Sequence, residues 1–315
     1  MNGIQKKSCA GNHGFFAIVA AVLLAWCAGA WAAPETVLLV SYDGMDLTLT
    51  QRLMRAGKLP HLSELKVVPM FGGPVTATKP GHAEVLTGLG YNITGVRTNK
   101  DFDSKIQPGW TIFGIVKRER PETFVSAIFS KPQHTGDDLL KDGRREPWYD
   151  LAVWAKAGGL DGYFNASEIP RNHSLTTDET MAVVEQHIAK YVAWYQSTHR
   201  WQYFIYVHFA APDRTGHQYG AGSAQWNAEM IRLDAQLGYL RDRLHPEVVL
   251  VYSDHGFDAP GARIHAHAPN AFLASNVALQ PHGNRWDVVP TLCEVLELPW
   301  KTYQPLLLGR SLLLP

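Results

Sequence analysis

The sequence predicts an α/β fold with a mostly parallel central sheet and helices on both faces. Three apolar runs carry that expectation: VLLVSYD, FIYVHFAAPD and VVLVYSD, which end in Asp43, Asp213 and Asp254. Continuous β-branched and aromatic runs without polar alternation read as strands covered on both faces, the pattern of a parallel sheet. Segments of helical spacing separate them, and strand alternating with helix is the signature of a layered α/β domain. In such folds the ligand crevice lies outside the carboxyl ends of the strands. All three acids stand there.

The chain opens with a segment outside that pattern. Lys6 and Lys7 precede FFAIVAAVLLAWCAGAWAA, and Ala30-Trp31-Ala32 fits a small-residue cleavage site, so residues 1–32 read as a secretory signal peptide. The apolar run is short for a membrane span, and no stable membrane anchor is expected after cleavage. Removing 32 of the 315 residues leaves 33–315 as one domain with a sizeable core. The signal takes two of the 29 basic residues with it against an unchanged 29 acidic ones, a balance that excludes nucleic-acid polymers and anionic membrane surfaces as expected partners. Cys9 and Cys27 leave as well; Cys293 alone remains, so no disulfide framework is expected. The expected address is periplasmic or secreted.

Along the mature chain, residues 76–88 read TATKPGHAEVLTG. Proline suits the first helical position, so Pro80 predicts a helix start with Thr78 just before it, where free N–H groups and the helix dipole favour negative charge. Thr78 is then either a helix cap or a nucleophile. TFVSAIFS reads as a further core strand. The rest of 100–175, rich in Pro, Gly and charge, is expected to shape the pocket. Residues 176–195 open on a capping box, Thr176 and Glu179, and 224–244 and DVVPTLCEVLEL carry the same helical spacing.

The chemistry-bearing residues cluster at strand ends. Asp213-Arg-Thr-Gly-His217 sets a carboxylate and an imidazole four apart, Asp254-His255 sets them side by side, and RIHAHAPNAFLAS adds His265 and His267. Carboxylate oxygen with imidazole nitrogen and no thiolate suits zinc in a catalytic site, whereas calcium would want oxygen throughout. Singly, each piece reads as an ion pair or a turn, Asp43-Gly44 included. Their concentration on one sheet edge is what argues for a metal centre.

In order and spacing, these residues resemble the alkaline phosphatase superfamily over nearly the whole mature chain: strand-Asp, Thr-x-Pro-x-His with a later Leu-Thr-Gly, Asp-x-x-x-His, Asp-His-Gly, then a late His. TKPGHAEVLTGLGYNITGVRTN looks most like the type I phosphodiesterase/nucleotide pyrophosphatase branch, and GRSLL is similar to the superfamily's closing turn. The resemblance implies an alkaline phosphatase-like fold and two zinc ions. One would be held by Asp213, His217 and His265, the other by Asp43, Thr78, Asp254 and His255. It makes Thr78 the nucleophile of a phosphothreonine-type route on a small phosphate ester, with Asn99 and the Lys79 N–H on a phosphoryl oxygen. His265 is favoured over His267 by its spacing to the FLA run. Gly81 and Thr94 depart from the branch, which usually has Asn and His there, and no Cys-x-Pro-Ser-Arg of a sulfatase occurs. A phosphomonoesterase on the same core is the second reading, and a metal-binding protein without turnover the third. His82 and His208 are expected to be packing residues, and Arg97, Lys100 and Arg214 solvated.

Overall fold

The computed structural model describes residues 33–100, 106–107, 109–131, 148–154, 174–268, 271–302 and 309–314. The signal segment 1–32, and most of 100–175, lie outside the described residues. Pro34–Pro315 form one compact unit, divided from Met1–Ala33.

The three apolar runs are strands: β1 (Thr36–Tyr42), β5 (Tyr203–Phe209) and β6 (Val248–Ser253), every residue of each buried. β1 lies between the other two, parallel to both. TFVSAIFS supplies β3 (Phe124–Phe129), parallel to β5, with β4 (Leu151–Trp154) parallel beyond it. On the other side stand β7 (Ala271–Ser275), β2 (Lys66–Phe71) and β8 (Gly283–Asn284). The sheet order is β4-β3-β5-β1-β6-β7-β2-β8. Only β7 runs against the rest: it is antiparallel to both β6 and β2, and β8 is parallel to β2. The loop from β6 to β7 therefore leaves and re-enters the sheet at one edge, the edge carrying Asp254. That reversal keeps the late histidines near the strand-end acids.

Alternate residues of the central strands face opposite layers, as the two-residue period requires. Leu38, Val40, Val207 and Val251 pack on one side, against α1 (Leu47–Arg55), α6 (Thr177–Thr198) and α8 (Ala224–Leu244). Val37, Leu39, Phe204 and Leu250 pack on the other, against α3 (Thr78–Thr87), α5 (Ile112–Glu119) and α9 (Val288–Val295). The two-sided α/β architecture is as the sequence predicts. Helix α6 opens on the predicted box: the Glu179 N–H donates to Thr176 Oγ1 and the Thr176 N–H to the Glu179 carboxylate. Three short helices complete the described residues, α2 (Pro60–Ser63), α4 (Tyr91–Thr94) and α7 (Ala211–Tyr219).

Candidate active site

Four segments converge where β1, β5 and β6 end. Asp43 follows β1, and its N–H continues the ladder to the Phe209 carbonyl at 3.1 Å. Gly44 then turns with φ +69°. A Cβ there would lie 2.8 Å from Asp213 Cβ and 2.9 Å from its Cα, so only glycine lets the two segments approach. The Gly44 N–H donates to Asp254 Oδ1 at 3.1 Å. This residue thus spaces Asp43, Asp213 and Asp254. Gly44→Ala should lower stability by about 1–3 kcal/mol through the strained φ and the clash. Denaturant unfolding measures that, and an unchanged midpoint would contradict the spacing role.

Asp213 and His217 lie one turn apart on α7, a placement the sequence reading put only "after a strand". Asp213 Oδ1 is 3.2 Å from His217 Nε2 and 3.4 Å from His265 Nε2, with 3.2 Å between the two imidazole nitrogens. The second group centres on His255. Its Nε2 lies 3.2 Å from Asp43 Oδ1 and 3.4 Å from Asp254 Oδ2, all three side chains fully buried. Both groups hold their ligand atoms within 4.8 Å of one another. The structure therefore brings together all six predicted acids and histidines, in the two predicted sets. His265 joins the first set; its carbonyl accepts from Thr76 Oγ1, and its ring stacks on His255 at 4.0 Å. His267 is exposed and spends its N–H on Asp258.

The donor chemistry fits a cation. His217 Nδ1 faces the Arg263 carbonyl at 2.6 Å and His255 Nδ1 the Gly256 carbonyl at 3.0 Å. A carbonyl only accepts, so both histidines carry hydrogen on Nδ1 and turn Nε2 toward the carboxylates. With neutral rings, lone pairs would face carboxylate oxygens, an arrangement stabilised by a metal ion or a proton. Asp213 Oδ1, Asp254 Oδ2 and His255 Nε2 are buried without a hydrogen-bond partner. In this metal-free frame, burial opposes charge on His255, yet Asp254 and Asp43 push it up to about 9. Burial and the nearby Asp43 push Asp254 up to about 7.

Thr78 sits at the first residue of α3, and Ala77 caps the helix. This corrects the expected helix start at Pro80, which falls on the third helical position, still within the turn whose N–H groups have no intrahelical partner. It also removes the cap reading. Thr78 Oγ1 donates to Asp43 Oδ1 at 3.3 Å instead. The Lys79 N–H donates to Asn99 Oδ1 at 2.9 Å, so this amide orients the asparagine, where the resemblance has both on a phosphoryl oxygen.

Sequence reasoning missed four contributors. Lys131, just beyond β3, places Nζ 2.6 Å from Asp43 Oδ2, 2.5 Å from Asp213 Oδ2 and 3.3 Å from Thr78 Oγ1. Its signal was available: a cation directly after a core strand sits on the same edge as the acids. Arg285, buried with Glu84 of α3, donates to that carboxylate at 2.8 Å, to the Asp254 carbonyl at 2.7 Å and to the Val75 carbonyl at 2.8 Å. It ties α3 to the end of β6. His82 and His208 do more than pack. His208 Nε2 lies 3.4 Å from Asp43 Oδ2, and His82 Nδ1 contacts the Tyr252 hydroxyl at 2.8 Å. Asp43, His82 and His208 form a third group of ligand type. The Lys131 ammonium is closer to that Asp43 oxygen than either ring is.

A mostly parallel sheet carries two Asp/His sets and a helix-borne threonine on its carboxyl edge, and the family match gives the class, a metal-dependent phosphoric ester hydrolase. The family profile described as type I phosphodiesterase / nucleotide pyrophosphatase matches residues 37–280, and the chain belongs to that family. Solved structures with the same fold include murine ectonucleotide pyrophosphatase/phosphodiesterase 5 (14% identity, TM-score 0.53, covering 87% of this chain and 100% of that one). The same murine protein, inactive through a threonine-to-alanine change and in complex with AMP, aligns at 14% identity and TM-score 0.51 over 84% and 95% of the two chains. Alkaline phosphatase from the Antarctic bacterium TAB5 aligns at 12% identity and TM-score 0.55, over 85% and 99%. A search of curated proteins gives no match.

Proposed function

We propose that the protein is an exported phosphodiesterase/nucleotide pyrophosphatase that attacks phosphorus through Thr78, between two metal ions. The placement of Thr78 Oγ1, 3.3 Å from Asp43 Oδ1 at the open end of α3, carries this reading. Asp43, Asp254, His255 and Thr78 would hold one ion, and Asp213, His217 and His265 the other. The nitrogen and oxygen donors, without thiolate, favour zinc. Bound there, zinc supplies positive charge and lowers the pKa of a ligated hydroxyl or water.

The chain's own residues divide the remaining work. The Thr78 hydroxyl points its hydrogen at Asp43 and accepts from Lys131, which leaves one lone pair to meet phosphorus. As the Oγ1–P bond forms, the Thr78 proton passes by way of Asp43 to water and the bond to the leaving oxygen breaks. That oxygen keeps the electron pair and takes a proton from water. The phosphothreonine-type intermediate, which keeps the diester's second ester group, is then hydrolysed by water. Asn99, held through Oδ1 by the Lys79 N–H, presents its NH2 end to a phosphoryl oxygen. The inactive threonine-to-alanine form of the murine relative, with AMP bound, supports a threonine in this role.

Asn99→Ala should lower kcat/KM for a diester by about 2 kcal/mol or more, the scale of losing one charge-stabilising donor. Steady-state kinetics on nitrophenyl diesters measure it, and a change under twofold contradicts the clamp. One observation favours the phosphomonoesterase as a second reading: the Lys131 ammonium beside Thr78 would also serve a dianion. A panel of nitrophenyl mono- and diesters, compared by kcat/KM with metal analysis alongside, decides between them. Export rests on the 1–32 signal pattern. Among the described residues, no helix is long and apolar enough to cross a membrane.

A further inference from the structure

The two carboxylates that bridge the site divide their oxygens in the same way. Asp43 turns Oδ1 to His255 and Thr78, and Asp213 turns Oδ1 to His217 and His265. Both give Oδ2 to Lys131, at 2.6 and 2.5 Å. The ammonium therefore leaves the histidine-facing oxygens of both sets available to metal ions. An ammonium has three hydrogens. Two serve the carboxylates, and the third serves Thr78 Oγ1, which lies 3.3 Å from Nζ.

The charge is secure. Burial alone would lower the Lys131 pKa, but Asp213 and then Asp43 raise it well above the usual lysine range. The lysine is a donor that transfers no proton. Its stem leaves the carboxyl end of β3, a strand buried along its whole length, so the head is held from a rigid element.

We propose that Lys131 is a further catalytic residue, a fixed cation that stabilises negative charge on Thr78 Oγ1 during attack and on a phosphoryl oxygen once Oγ1 is esterified. In the first half, its third hydrogen bonds Oγ1 as negative charge builds there. Once the Oγ1–P bond exists, that oxygen has lost its charge, and the hydrogen turns to the adjoining phosphoryl oxygen. Asp43 and Asp213 keep the other two hydrogens throughout, so the head needs no repositioning. Such a preorganised charge acts on the transition state more than on the bound ground state. The proposal rests on phosphoryl transfer at Thr78.

The test uses the mature protein, its metal content measured, with orthovanadate as the probe. Vanadate adopts the five-coordinate geometry of phosphoryl transfer and reads the site whatever the natural leaving group. Lys131→Met removes the charge at nearly constant volume. Metal content should stay as in the wild type, vanadate affinity should fall at least about thirtyfold, and kcat on a diester about a hundredfold or more, with KM within about threefold. Lys131→Cys, before and after aminoethylation, repeats the comparison within one chain, and the restored ammonium should recover at least about tenfold in both readouts. Vanadate affinity within about threefold of wild type, with metals bound, overturns the proposal. So does a loss of affinity that only tracks a loss of metal, since Lys131 would then act by holding the two carboxylates in place. A wild-type protein that neither binds vanadate nor turns over an ester overturns phosphoryl transfer itself, and this proposal with it.

Discussion

Exhaustive chelation should abolish ester hydrolysis while leaving the protein folded, and zinc should restore turnover. The fold half of that expectation comes from the core. Two apolar layers cover both faces of the sheet, and both metal-candidate sets stand beyond the carboxyl ends of its strands. The activity half comes from charge. Three carboxylates, those of Asp43, Asp213 and Asp254, converge with one ammonium among them, so an anionic substrate would meet repulsion without divalent ions. Reloading should also depend on pH, in a direction the structure fixes. Metal binding needs His255 without its proton and Asp254 ionised. In the metal-free protein His255 is pushed up to about 9 and Asp254 up to about 7. Protons compete with the metal below about pH 9, and more strongly below about 7, so affinity should rise with pH through that range. Titration of the chelated protein with zinc at pH 6 and pH 8.5 measures this. Equal affinity at both, or full activity with no transition metal present, would contradict the metal-centre reading.

The parts of this architecture that could be read from the sequence are those with local causes. Asp43, Asp213 and Asp254 end runs whose composition already marks them as buried parallel strands. The capping box at Thr176 is a four-residue signal and appears as read. What escaped has distant causes. Arg285 and Glu84 are 201 residues apart in sequence, so no local pattern pairs them. Strand β2 contains Pro69 and has mixed burial, and β8 is two residues long, so neither has the periodicity that marks a strand. The start of α3 was misplaced because Pro80 was weighed as a first helical residue, while Asp43 and Lys131, from two other strands, hold the Thr78 hydroxyl.

Thr78→Ala should reduce ester turnover about a thousandfold or more, roughly 4 kcal/mol of barrier at ~1.4 kcal/mol per decade. The effect on stability should be small. The hydroxyl caps nothing, since Ala77 holds the cap position, and its two contacts at 3.3 Å are long for hydroxyl and ammonium hydrogen bonds. The six carboxylate and imidazole ligand candidates are untouched, so metal content should also hold. Thr78→Ser keeps an oxygen on the same carbon and should retain part of the activity. The methyl group it lacks packs within a fully buried helix turn, and freeing the hydroxyl to rotate should lower kcat more than it raises KM. Acid quenching of the wild type during diester turnover should trap the phosphoryl group, with its remaining ester, on Thr78, identified by peptide mass, and the alanine variant should trap none. The combination separates the two ways a threonine can matter here. A residue that only braced Asp43 would lose metal and stability together with activity. A nucleophile loses the covalent intermediate alone. If Thr78→Ala, folded and metal-loaded, turned over within tenfold of wild type, water would be attacking phosphorus directly and the covalent route would be abandoned.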